Sequence, residues 1–136
     1  MRCYLDYNAS APLLKEVKDY VLSVMEIEGN PSSIHKSGRE AKKIIEESRE
    51  KVATLINAEK TNIIFTSGAT EANNIIINSF DNVIASEIEH DSILNGKNVI
   101  KVKVTSDGYV DLTDLINIIK KVKDKSKYVI SVMLAN

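Results

Sequence analysis

Apolar and polar positions alternate along the chain at two spacings, one helical and one extended. Val17, Tyr20, Val21 and Val24 share a face at helical spacing, so residues 13–27 read as a helix, with Pro12 suited to its first turn. Ala41, Ile44, Ile45, Ser48, Val52, Leu55 and Ile56 make the inward stripe of a longer helix over 36–57. Its other face, with Lys42, Glu46, Arg49 and Glu50, reads as solvated surface. Asn62 to Thr66 reads as a short strand running into a helix from about Ala69 to Phe80, and Val83-Ile84-Ala85 as a second strand. Residues 86–97 form an irregular connection. From 98 to 104, Ile100, Val102 and Val104 fall on one side and Lys101 and Lys103 on the other, a strand with one wet face. Asp107-Gly108 is a turn. Asp111 is placed to cap the next helix, with Asp114 in a capping-box role and Leu112, Leu115, Ile116, Ile119 and Val122 as the buried face. Tyr128 to Asn136 is a nearly unbroken apolar run, expected as a strand buried on both faces. A chain stopping on a central strand is expected to be part of a larger fold. This order implies an α/β fold with a mostly parallel sheet flanked by helices.

Composition narrows the function without naming it. The 136 residues are enough for one real core, and 43% apolar with 27% charged residues is ordinary for a soluble protein. The net charge of −1 gives no electrostatic reason to expect nucleic acid or an anionic membrane as partner. A single cysteine, Cys3, excludes an internal disulfide and fits a reducing compartment. No apolar stretch resembles a signal peptide or a membrane span, so a cytoplasmic protein is the expectation.

Four segments could carry chemistry. Thr66-Ser67-Gly68-Ala69-Thr70-Glu71 joins strand to helix, where free N–H groups and the helix dipole favour a phosphate, Gly68 permits close approach and Thr70 adds a hydroxyl. Read alone, it fits a plain helix start capped by Ser67 better. Glu89-His90 follows a strand, on the side of an α/β sheet where ligands bind. His90 could stack on a flat ring or move protons, but alone it reads as a surface histidine. Gly29-Asn30-Pro31-Ser32-Ser33-Ile34-His35 is, by itself, only a loop. His35 and His90 lack further partners at ligand spacing, so no metal is expected. Cys3, just before the opening Tyr4–Pro12 segment, has no base near it in sequence and no nucleophile role follows.

In this order the segments resemble the NifS/IscS group of pyridoxal-phosphate-dependent cysteine desulfurases, among the class V aminotransferases. Tyr4-Leu5-Asp6-Tyr7-Asn8-Ala9-Ser10-Ala11-Pro12 looks like the opening segment of that family, and the Gly29–Ala41 stretch like its Gly-Asn-Pro-Ser-Ser motif. Phe65-Thr66-Ser67-Gly68-Ala69-Thr70-Glu71-Ala72-Asn73-Asn74 resembles its phosphate-binding turn, and Glu89-His90 holds the place of its ring-stacking histidine. Asp107–Leu112 and Ser131–Asn136 follow in the same order. The resemblance implies a pyridoxal 5'-phosphate cofactor, with Ala69 and Thr70 on its phosphate and His90 stacked on its ring and assisting proton transfer. Ala9 and Asn30 would lie near the substrate. It implies conversion of L-cysteine to L-alanine with sulfur left as a persulfide, delivered to acceptor proteins for iron–sulfur clusters or thio-modification, by a homodimer.

The resemblance also implies that residues 1–12 belong to the small-domain side and 13–136 to a truncated large cofactor-binding domain. The family's cofactor lysine, persulfide cysteine and ring-nitrogen aspartate would lie downstream, so the chain alone is expected to be inactive. Cys3 matches an apolar position, Ser10-Ala11 replaces a common threonine pair, and the Ser92–Gly96 connection is short beside the family. A selenocysteine lyase, another class V enzyme, or a non-catalytic dimerisation module are the alternative readings.

Overall fold

In a computed structural model, residues 3–7 and 9–134 are described. The expectations for Asn8, Ala135 and Asn136 lie outside the described residues. The chain divides into two units, Met1–Phe65 and Thr66–Asn136.

The first unit is helical. Helix α1 spans Lys15–Met25, and none of its residues is buried. Pro12 precedes its N-cap, Leu14, and so falls short of the first turn. The long helix α2, Lys36–Leu55, starts where expected, with the His35 ring accepting from the Gly38 N–H. It ends in a Schellman arrangement: Asn57 turns to φ 54°, its N–H bonds the Thr54 carbonyl and the Ala58 N–H bonds the Ala53 carbonyl. Its buried residues, Gly38 and Ala53, lie outside the expected stripe, of which Val52, Leu55 and Ile56 are exposed.

Arg49 departs from the solvated face assigned to it. Its guanidinium lies over the Phe65 ring, 5.0 Å from the centroid, and bonds the Ile63 carbonyl. The expected strand Asn62–Thr66 does not form. Lys60–Asn62 is a 3-10 turn, Ile63 is extended, and no strand forms from there to Thr66 among the described residues. A run of strand-forming residues needs a neighbour to pair with, and here Arg49 holds the segment instead.

The second unit is a three-layer α/β sandwich. Its strands β1 (Asn82–Ser86), β2 (Val99–Val102) and β3 (Tyr128–Ser131) lie in the order β2-β1-β3, all parallel. Register pairs Ile84 with Ile100 and Ile130, and Val83 with Val99 and Val129. Since parallel partners share a face, Val83, Ala85, Val99 and Val129 point one way. They pack there on Ile77 of α3 (Ala69–Ile77) and Ile93 of α4 (Asp91–Leu94). The other face holds Ile84 and Val102, with α5 (Leu112–Lys121) beside β2.

The middle strand is therefore β1, buried on both faces, and not the final apolar run. Strand β3 is an edge, with Ile130 about half exposed and Val132 beyond it likewise. Helix α4 replaces part of the irregular connection. Asp111 caps α5 as expected, accepting from Thr113 N at 2.9 Å and Asp114 N at 3.1 Å. Asp114 does not complete a capping box; its carboxylate accepts from Lys103 N at 3.0 Å, while Asp111 N donates to the Lys103 carbonyl. Between them the chain folds back at Gly108, whose φ of +81° favours glycine, and Val104 pairs antiparallel with Val110.

Candidate cofactor site

One cavity of about 620 Å³ opens at the carboxyl ends of the strands in the second unit. Three stretches of chain line it: Ser67–Glu71 with Asn73, then Glu89, His90 and Ile93, then Ser131–Met133. Sequence reasoning singled out Ala69, Thr70 and His90, and the structure brings all three to this cavity. Ala9, in an exposed turn, and Asn30 belong to the first unit.

The start of α3 has no side-chain cap. Gly68 occupies the N-cap position without a cap bond, which corrects the assignment of Ser67 as cap. The Ala69, Thr70 and Glu71 N–H groups, lying in the first turn, have no acceptor within the helix. Ser67 turns the other way: its N–H and hydroxyl both donate to one Glu71 carboxylate oxygen, at 2.6 and 2.7 Å. That backbone bond first, and the hydroxyl second, hold the Glu71 carboxyl below its ordinary range. Gly68 is not strained, as φ 166° and ψ 179° are extended backbone. A Cβ built on it meets no atom within 4 Å, so its contribution is open space beside the free N–H groups and not a sharp turn.

His90 caps the one-turn helix α4. Its Nδ1 accepts from Ser92 N at 3.1 Å and lies 2.9 Å from the Ser92 hydroxyl, which also accepts from Asn73 Nδ2 at 2.8 Å. The ring is exposed on the cavity side of these bonds. Behind it, Glu89 is buried and accepts from His90 N at 3.1 Å and from the Ser131 hydroxyl at 3.0 Å. Glu89 thus ties the turn after β1 to the end of β3. Sequence reasoning missed this role and those of Asn73 and Ser92; the partners lie 19 and 42 residues apart, and local pattern carries no such signal.

The donor set fits a phosphomonoester attached to a flat ring. Backbone N–H groups at a helix start, a nearby hydroxyl and open space at Gly68 suit a phosphate. An oriented imidazole on the same cavity suits a ring. Among the described residues no cluster of metal-binding side chains occurs.

The aminotransferase class-V family model matches residues 3–136. The chain belongs to this family. It is 40% identical over 150 residues to the cysteine desulfurase IscS of Dictyoglomus turgidum, covering 98% of this chain and 37% of that relative. It is 47% identical over 79 residues to the selenocysteine lyase of Bos taurus, covering 57% of this chain and 18% of that protein. The solved structure of a NifS-like protein from Rickettsia africae superposes with a TM-score of 0.88 at 38% identity, over 98% of this chain and 39% of that one. The class V chain thus spans well under half the length of each of these relatives. Its α/β architecture, with a parallel sheet flanked by helices, is that of the NifS-like neighbours.

Proposed function

We propose that this class V chain seats pyridoxal 5'-phosphate and is the cofactor-phosphate portion of a cysteine desulfurase. The observation that carries this reading is the uncapped start of α3 sharing one cavity with an oriented His90. Ala69 and Thr70 would hold the phosphate through their N–H groups, Thr70 adding its hydroxyl. His90 would lie against the ring and assist proton transfer. The bound cofactor supplies an electron sink for chemistry at the substrate's α and β carbons. Ala9 and Asn30 are proposed near the substrate, L-cysteine, whose sulfur would pass to acceptor proteins for iron–sulfur clusters or thio-modification. Residues 1–12 are assigned to the small-domain side and 13–136 to the large domain of a cytoplasmic homodimer. The identity to IscS supports these assignments, and no described helix is long and apolar enough to cross a membrane.

The test is a titration of the chain with pyridoxal 5'-phosphate, followed by absorbance, with pyridoxal lacking the phosphate as control. Saturable, reversible binding that inorganic phosphate displaces is expected. Thr70→Val should weaken it about tenfold, as for one lost hydrogen bond to a charged group. Binding indifferent to inorganic phosphate sinks the reading. The 136-residue polypeptide by itself is expected to release no sulfide from L-cysteine; release above a no-protein control overturns that part. The selenocysteine lyase relationship favours a second reading. Comparing product formation from L-cysteine and L-selenocysteine by the polypeptide of the whole gene separates the two.

A further inference from the structure

Asn73 lies one turn beyond Thr70 on α3, and its side chain leaves the helix to reach α4. Its Nδ2 donates to the Ser92 hydroxyl at 2.8 Å. That hydroxyl is 2.9 Å from His90 Nδ1, and the Ser92 backbone N–H approaches the same nitrogen at 3.1 Å. A backbone N–H can only donate, so Nδ1 holds a lone pair and the ring proton sits on Nε2. The Ser92 hydroxyl therefore accepts from Asn73 and donates to His90. Every bond in the relay has one direction, and the free edge of the imidazole is a donor.

This relay joins two parts of the cavity that have different tasks. One end is the helix whose start offers free N–H groups, and the other is the ring. We infer that Asn73 is a positioning residue: through the Ser92 hydroxyl it sets the spacing between the phosphate seat and the imidazole. The role rests on reading the cavity as a seat for pyridoxal phosphate. A ligand with a phosphate and a flat ring at fixed separation is favoured when the seat and the platform cannot drift apart. Inorganic phosphate, which has no ring, is indifferent to that spacing. A bond that only stabilised α3 against α4 would make no such distinction between ligands.

The experiment compares the chain with its Asn73→Ala, Ser92→Ala and double variants, each checked for native circular dichroism. Binding of pyridoxal 5'-phosphate and of inorganic phosphate is measured, and the His90 ring nitrogens are read by NMR. Asn73→Ala should weaken pyridoxal phosphate about fivefold, as for one lost hydrogen bond, and leave inorganic phosphate within about twofold. Its His90 ring signals should shift as the imidazole is displaced, while Nδ1 keeps the Ser92 N–H as its donor. Ser92→Ala should do the same, and the double variant should lose no more than either alone. Asn73→Asp guards against poor folding, since it keeps the side-chain size. The new carboxylate accepts from the Ser92 O–H and turns it away from His90, so the same loss is expected. Equal weakening of both ligands overturns the inference, as does unchanged pyridoxal phosphate affinity in a native-like variant. If the unaltered chain binds neither ligand, the cofactor reading fails separately. The His90 ring spectra then decide, and identical His90 spectra with and without Asn73 overturn its positioning role.

Discussion

Gly68→Ala separates the fold from the site. The glycine sits at the N-cap of α3 in extended backbone, φ 166° and ψ 179°, which alanine also adopts. A Cβ there meets no atom within 4 Å, so no packing cost arises. Two small backbone terms remain. Alanine is the poorer N-cap residue, by about 0.5–1 kcal/mol. It also restricts the unfolded chain, which favours the folded state by about 0.4–1 kcal/mol. These cancel, and stability should change by less than about 0.5 kcal/mol, a normal surface substitution. Ligand binding should not be spared, because Gly68 borders the cavity beside the Ala69 and Thr70 N–H groups. A methyl group at that border costs an arriving phosphate at least one bond to a charged acceptor, about 1.5 kcal/mol or roughly tenfold in affinity. Urea unfolding followed by circular dichroism reads the first quantity, and phosphorus NMR titration with inorganic phosphate the second. Unaltered phosphate affinity refutes the reasoning, as does destabilisation beyond about 1 kcal/mol. Gly38→Ala is the opposite case. Its Cβ would lie 2.3 Å from the Ser33 carbonyl oxygen and 2.8 Å from that of Asn30. Backbone atoms cannot move aside cheaply, and a loss of about 1–3 kcal/mol is expected in the same assay.

Acid should undo the Ser67–Glu71 link before it affects the rest of the turn. The Glu71 carboxyl is held below its ordinary value, so its contribution is complete above the unfolded value of about 4.3 and is lost as pH falls through the folded value. The Ser67 amide proton should shift in NMR spectra below about pH 4 and stay constant from about pH 6 to 8; a shift in the neutral range contradicts this. Arg49→Lys keeps the charge but loses the planar stack on Phe65 and the bond to Ile63, and should lower unfolding stability by about 1 kcal/mol. Asp111→Ala removes the acceptor of the Thr113 and Asp114 N–H groups and should cost about 1 kcal/mol by urea unfolding, with Asp111→Asn recovering most of it.

Features with a local cause were legible in the sequence. The extent of α2, the Asp111 cap and the turn at Gly108 each depend on residues within a few positions. The order of motifs likewise pointed to the class V family, and the model match over residues 3–136 agrees. Features set by distant partners were not legible. Asn62–Thr66 has the composition of a strand, but pairing decides strands and none occurs among the described residues. Arg49 looked solvated because its neighbours on α2 are charged, and only the fold brings Phe65 beneath it. Asp114 stands at capping-box spacing but bonds Lys103, whose amide β2 delivers to it. The candidate site divides in the same way. Ala69, Thr70 and His90 were readable from motif and strand ends, whereas Glu89, Asn73 and Ser92 act through contacts that sequence spacing hides.

The strand order β2-β1-β3 has a consequence for how the seat is assembled. The first strand made is the central one, and it meets β2 across a short connection that includes α4. Pairing with β3 must close a longer loop through β2 and α5, so its entropy cost is higher and it follows. Two walls of the cavity, the α3 start and the His90 turn, can therefore exist before the third, Ser131–Met133, docks. Strand β3, at an edge and docked last, is also expected to open more readily from the folded state than the central β1. A ligand that touches all three walls would bind only after that docking. Hydrogen exchange at Val129 and Ser131 should then slow on ligand addition more than exchange at Val83 or Ala85, making β3 a reporter of occupancy.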